Sequence, residues 1–146
     1  MAATSIELME AMADQLTTEL AAVITNLQVV GGWRLSAPTP PTIDVFPPDD
    51  EPFYNRSGYG SSDYDFVYVV RARVTTADQP EGQKFLLAMM DPNSPESVAR
   101  ALESDLTLNG KAQDLTVDAP SEFGLYPDAA HQGGLLGCTW RTVVTV

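Results

Sequence analysis

The first part of the chain carries apolar residues at helical spacing. Residues with this spacing lie on one face of an α-helix, so the pattern predicts one amphipathic helix over residues 5–27. Thr4 followed by Glu7 fits a capping box at its start, and Gly31-Gly32 ends the segment. The apolar stripe consists of Leu8, Met12, Leu16, Leu20, Ile24 and Leu27.

Most of the remaining chain shows strand patterns. The clearest strand covers residues 64–76, where apolar residues occupy both faces at the start and Arg71 and Arg73 occupy one face at the end. That change predicts a strand that is covered on both faces at one end only. The final strand is predicted either to pair within the sheet or to remain an exposed edge. The other predicted strands cover residues 33–37, 42–46, 115–117 and 135–146.

Two shorter helices are predicted in the second half of the chain. Asp78, Pro80 and Glu81 mark the start of the first, which runs to Met90. Ser94-Pro95 predicts the capped start of the second, and Asn109-Gly110 its stop. The resulting order, α-β-β-β-α-α-β-β, predicts a single α+β domain over residues 1–146, with helices packed on a mainly antiparallel, twisted sheet.

Two stretches, residues 47–63 and 119–134, are predicted as loops. The first is long and mixes acids with Phe53, Tyr54 and Tyr59. Long loops in compact domains are usually functional or disordered. Either the aromatic side chains fold back on the sheet, or they dock on a neighbouring subunit, and the length of the loop favours docking slightly.

The chain is strongly acidic, with 20 acidic and 8 basic residues and a formal net charge of −12. Tight sequence-independent binding to DNA or RNA requires a basic surface. An acidic surface instead fits a protein that avoids nucleic acid or touches it without sticking. No apolar run approaches the ~20 residues that cross a bilayer, and the N-terminus lacks the features of a signal peptide. A cytoplasmic protein is therefore expected.

Candidate chemistry is sparse. One histidine, His131, and one cysteine, Cys138, cannot form a zinc site of His and Cys ligands. They could form a nucleophile pair, but Cys138 lies in an apolar strand, where a free cysteine usually behaves as a small buried hydrophobe. The acids at 49–51 lack the spacing of a calcium loop. We therefore expect no enzyme activity, metal or cofactor.

Three strand arginines allow two interpretations. Arg71, Arg73 and Arg141 are either rim charges that discourage wrong edge pairing or partners in salt bridges between subunits. Together with the aromatic loop they make up the predicted interface residues: Phe53, Tyr54, Arg56, Tyr59, Arg71, Arg73 and Arg141.

Several segments occur in an order that resembles the tail terminator (tail completion) proteins of long-tailed bacteriophages, especially phages of actinobacteria. The resemblance covers nearly the whole chain as an ordered pattern. Its segments are the opening helix 5–27, Ala-Pro-Thr-Pro-Pro-Thr-Ile-Asp-Val-Phe-Pro from Ala37, Asp-Phe-Val-Tyr-Val-Val-Arg-Ala-Arg-Val from Asp65, Ser-Pro-Glu-Ser-Val-Ala-Arg-Ala-Leu from Ser94, and the closing strand from Leu135.

The resemblance implies a structural protein of the virion neck or tail, assembled in the host cytoplasm. Such a subunit forms a ring, usually a hexamer, that caps the head-proximal end of the tail tube and stops its polymerisation. Its implied partners are further copies of itself, the major tail tube protein and the head–tail connector or stopper protein. DNA passes through the lumen without specific binding, and the family supplies no catalytic residues.

Two other classes of protein remain open. The chain could be another neck or tail component, such as a head–tail stopper or a minor tail protein, since these share its size and acidity. A small enzyme or ligand-binding domain is less expected, because it would need polar groups that converge in a concave pocket.

Overall fold

A computed structural model describes residues 3–32, 40–56, 64–75, 80–127 and 134–146. The protein is α+β, as predicted, with three helices and a seven-stranded sheet in the described part of the chain. The elements are α1 (Ser5–Leu20), β1 (Gln28–Gly31), β2 (Thr42–Phe46), β3 (Tyr54–Arg56), β4 (Tyr64–Thr75), α2 (Pro80–Met90), α3 (Val98–Glu103), β5 (Asp114–Val117), β6 (Ser121–Tyr126) and β7 (Leu135–Thr145).

The sheet is built around β4 and β7. They form the longest ladder, an antiparallel pair that runs from Asp65 opposite Thr145 to Thr75 opposite Leu136. On the other side of β4 lie β2 and β3, and on the other side of β7 lie β5 and β6. Among the described strands, only β1 runs parallel to its neighbour, β2. The mainly antiparallel sheet is thus confirmed, and β7 pairs within the sheet instead of remaining an edge.

One face of the sheet carries the hydrophobic core. Tyr68, Val70 and Trp140 are fully buried in one cluster with Leu8 and Leu16 of α1. The other face of the sheet carries the strand residues that alternate with the core residues, including the buried Asp44 and Arg73. The prediction that β4 is covered on both faces at one end only is therefore wrong, because ion pairing allows the arginine end to be buried as well.

The opening helix is shorter than predicted. The capping box formed by Thr4 and Glu7 is present, but α1 ends at Leu20. The chain turns over residues 21–27, with Asn26 at a φ of 60°, and then forms β1. Ile24 is still 1% exposed, which explains why the apolar stripe continues beyond the end of the helix.

Gly31 of β1 fits beneath α1. A Cβ atom added at Gly31 would lie 2.6 Å from the carbonyl oxygen of Met9. The absence of a side chain lets the helix backbone approach the strand closely.

The second short helix also begins later and ends earlier than predicted. Its N-cap is Ser97, whose hydroxyl accepts a hydrogen bond from the Arg100 amide, while the Ser94 hydroxyl accepts one from the Glu96 amide in the preceding turn. Residues 104–111 form turns instead of continuing the helix. Because α3 has only six residues, it depends on packing for stability.

Both predicted loops contain a short strand that the residue pattern did not predict. Residues 47–63 include β3, and residues 119–134 include β6. Each pairs with a long central strand, and this tertiary pairing stabilises segments too short to show a clear alternation. The strand predicted over residues 33–37 lies outside the described residues.

Candidate interface surfaces

The predicted interface residues fall into two groups. Phe53, Tyr54 and Arg56 lie at the end of the sheet where β3 meets β4. The three strand arginines lie on the face of the sheet opposite the helices, as the register of β2, β4 and β7 shows. Tyr59 lies outside the described residues.

An aromatic cluster forms where β3 pairs with β4. Tyr54 lies opposite Phe66, and Arg56 lies opposite Tyr64. The Phe53 ring meets the rings of Phe66 and Tyr68 edge to face, with centroids 5.4 and 5.6 Å apart. Phe53 therefore folds back on the sheet and joins the edge of the core. We call the group Phe53, Tyr54, Arg56, Tyr64 and Phe66 the aromatic end.

The outer part of the aromatic end faces solvent. Tyr54 is 56% exposed although its ring packs 5.6 Å from the ring of Tyr64. The Arg56 guanidinium lies 5.8 Å from the centroid of the Tyr64 ring. All three residues of β3 are exposed. Aromatic and arginine side chains that are already ordered cost little entropy on binding, which makes this surface suited to a protein contact.

Arg71 and Arg73 share one buried carboxylate. Arg71 donates to Asp44 through Nε at 3.2 Å and through Nη2 at 2.6 Å, and Arg73 donates through Nη2 at 3.4 Å. The side chains of Asp44 and Arg73 are 0% and 1% exposed. The interpretation of Arg73 as a rim charge is therefore wrong, because it lies on a central strand and is enclosed.

Arg141 makes a second, exposed ion pair. Its guanidinium donates to both carboxylate oxygens of Glu51 at 2.8–3.1 Å and to Asp118 at 3.3 Å. Hydrogen bonds from Arg141 hold the pKa of Glu51 below its ordinary value. This contact fastens the segment after β2 to β7, and it occupies the third arginine within the same chain.

An open polar cleft of about 270 Å³ lies between these ion pairs and β6. Arg71 lies on one wall, with its guanidinium 5.0 Å from the ring of Phe46 and 5.7 Å from the ring of Tyr126. Burial, followed by the negative charge of Glu122, raises the pKa of Tyr126 to about 12. A phenol with a raised pKa is a poor base at neutral pH, and both cations of the cleft already bind carboxylates.

Cys138 does not lie in this cleft. It is buried in the core, and burial raises the pKa of its thiol to about 12. A thiol held in this form is a weak nucleophile. His131 lies outside the described residues, so the structure does not place the predicted pair. Among the described residues no group of three or more His, Cys, Asp or Glu could hold a metal ion.

The role of Asp44 and the pairing of Glu51 with Arg141 were not predicted from the sequence. Asp44 is the one acid in the apolar strand Thr-Ile-Asp-Val-Phe, and an acid in a fully buried strand requires a cation nearby. This acid in an apolar strand was the sequence signal that could have predicted the ion pair. Glu51 pairs with Arg141, ninety residues away in the chain, so the pairing leaves no local signal in the sequence.

No protein-family model matches the chain, and no curated protein matches its sequence. Within the described ranges, no helix is long and apolar enough to span a membrane.

Proposed function

We propose that this protein is a ring-forming tail terminator of a long-tailed phage. In this role it caps the head-proximal end of the tail tube, stops tube polymerisation and joins the tail to the head connector. Its location is then the neck or tail of the virion. The proposal starts from the ordered resemblance of the chain to tail terminators.

The aromatic end is the structural observation that carries the proposal. A subunit of a ring needs a preformed surface that binds its neighbour. Here Tyr54 and Arg56 are exposed but held in place by Tyr64 and by backbone pairing with β4. The underlying Phe53 anchors this surface to the core. Such ordered aromatic and arginine side chains are typical of the centres of protein interfaces.

The charge of the chain is compatible with a DNA conduit. A net charge of −12 repels a polyanion and prevents tight sequence-independent binding. DNA that passes a ring with this balance slides without being retained. The same charge disfavours random association of free subunits, so specific contacts must supply the binding energy of the ring.

Light scattering after size exclusion, with negative-stain images of the same peak, tests the proposal. The protein is examined alone and with the purified tail-tube protein of the same virion. We expect rings, or small rings that cap tube ends and stop their growth. A monomer that neither forms rings nor caps tubes contradicts the proposal and points to another neck or tail role.

A matched pair of variants tests the aromatic end itself. Arg56→Glu places an acid on the proposed contact, whereas Lys84→Glu makes the same charge change on the exposed side of α2. We expect Arg56→Glu to abolish rings and capping while Lys84→Glu retains both. Loss of rings in both variants would show that net charge, not this surface, governs assembly, and rings in both would exclude the aromatic end from the contact.

A further inference from the structure

The strand β6 forms an exposed edge of the sheet. It pairs with β7 on one side, with Gly124 opposite Gly137 and Leu125 opposite Leu136. No other strand of the described residues lies on its second side. The outer edge of such a strand presents backbone N–H and C=O groups that can pair with another extended chain.

Two large apolar side chains on this edge remain in solvent. Phe123 is 48% exposed and Leu125 is 54% exposed. Gly124 lies between them, and a Cβ atom added there would meet nothing within 4 Å. Because edge strands usually carry charge where they must stay unpaired, two exposed apolar side chains indicate a surface that a partner covers.

The opposite face of β6 is acidic. Leu136, the neighbour of Leu125, belongs to the core on the helix side, whereas Ser121 and Tyr126 line the polar cleft on the other side. The two arginines of the cleft already bind carboxylates. Asp49, Asp50, Glu51 and Glu122 line the cleft, and Asp118 lies at its margin. Glu51 and Asp118 bind Arg141, and Asp44 binds Arg71, so the acids of this region still outnumber its arginines.

This charge distribution favours a basic partner over a second copy of the chain. A second copy that paired through its own β6 would bring two sets of these acids together, and like charges across a strand pair are destabilising. A segment with lysine or arginine on its cleft-facing side would be attracted instead. Since side chains alternate along a strand, the same segment can place apolar residues against Phe123 and Leu125.

We propose that β6 binds an extended segment of a partner protein in which apolar residues alternate with lysine or arginine. The segment adds a strand to the sheet at β6, covers the exposed apolar side chains on one face and reaches the acids of the cleft on the other. This inference goes beyond the terminator proposal and does not require the chain to form a ring. Failure to form rings would leave it intact.

Binding of synthetic peptides to the full chain tests the inference. The probes are a fluorescent peptide of alternating lysine and valine and a matched peptide of alternating glutamate and valine. We expect fluorescence anisotropy to show at least about tenfold tighter binding of the lysine peptide. Its affinity should decrease with added salt, because salt screens interactions between exposed charges. Equal binding of the two peptides, or no binding of the lysine peptide, would overturn the inference.

The location of the bound peptide separates β6 from other acidic surfaces. In amide NMR spectra of the protein, we expect the shifts caused by the lysine peptide to cluster at residues 121–126 and on the adjoining β7. Shifts centred instead on the acids of α1, such as Glu7 and Glu10, would show nonspecific attraction to negative charge and would overturn the inference.

Two leucines of equal exposure provide the matched variants. Leu125 on β6 and Leu87 on α2 are both 54% exposed. We expect Leu125→Ser to weaken the lysine peptide about tenfold, as loss of an apolar anchor does, and Leu87→Ser to leave binding unchanged. Thermal denaturation checks that both variants fold. Equal loss in the two variants, or no loss in either, would show that β6 is not the binding edge.

Discussion

The buried carboxylate of Asp44 gives the most direct test of how the sheet is held together. It receives two hydrogen bonds from Arg71 and one from Arg73. The Arg73 side chain is 1% exposed and that of Arg71 is 14% exposed. Asp44→Ala removes the carboxylate but leaves both guanidinium groups where water cannot solvate them fully.

The expected loss in the free energy of unfolding is large. Breaking a buried ion pair by removing one partner costs about 3–5 kcal/mol, because water cannot replace the lost carboxylate at a buried charge. A domain of this size has a total stability of roughly 5–15 kcal/mol. The midpoint of thermal unfolding should therefore fall by about 10 °C. Asp44→Asn keeps one acceptor oxygen, so its loss should be smaller.

Glu51→Ala is the matched control. Glu51 also accepts two-pronged hydrogen bonds from an arginine, but the side chains of Arg141 and Glu51 are 45% and 30% exposed. Exposed pairs contribute about 0–1 kcal/mol. Urea denaturation followed by circular dichroism measures both variants. If Asp44→Ala costs no more than Glu51→Ala, burial does not set the strength of this pair and the reasoning is refuted.

Two further outcomes test the helix packing and the core. The Gln15 amide donates to the carbonyl oxygens of Ala101, Leu102 and Asp105 at 2.7–3.3 Å, so Gln15→Ala should cost about 1–3 kcal/mol and speed hydrogen exchange in α3; unchanged exchange would contradict this role. The thiol of Cys138 keeps its proton to about pH 12 when folded but loses it above its ordinary pKa when unfolded. From about pH 9 upwards, the free energy of unfolding of the wild type should therefore fall by about 1.4 kcal/mol per pH unit more than that of Cys138→Ala. Parallel plots of unfolding free energy against pH for the two proteins would show that the folded state does not protect the thiol.

Long periodic segments predicted the main elements of the fold. The stripe from Leu8 to Leu20 and the alternation in β4 and β7 each required one buried face, and such requirements are visible in sequence. The end of α1 could not be seen in the sequence, because Ile24 remains in the core after the chain has left the helix. Val29-Val30, a β-branched pair after Asn26, was the signal for β1 that the continuing stripe obscured.

The short strands β3 and β6 could be predicted less well. Each is defined by the register that β4 or β7 offers it. The alternation Phe-Gly-Leu around Gly124 was a weak strand signal inside a segment rich in turn residues. Similarly, Arg71 and Arg73 were identified as important, but their partner Asp44 lies on another strand, and the pairing depends on tertiary register.

The positions of β3 and β6 separate the two proposed contacts. The strand β3 pairs with residues 64–66 of β4, which lie opposite residues 144–146, at and just after the end of β7. The strand β6 pairs with residues 135–139 of β7, at the opposite edge of the sheet from β3. The centres of the two pairings lie near Thr145 and Gly137 of β7, so at about 3.3 Å per residue the two edges are offset by roughly 25 Å along the strands. Contacts this far apart should act independently, so a subunit bound to its neighbour through the aromatic end keeps β6 open for a different, basic partner. A variant carrying both Arg56→Glu and Leu125→Ser should therefore lose peptide affinity by the same factor as Leu125→Ser alone.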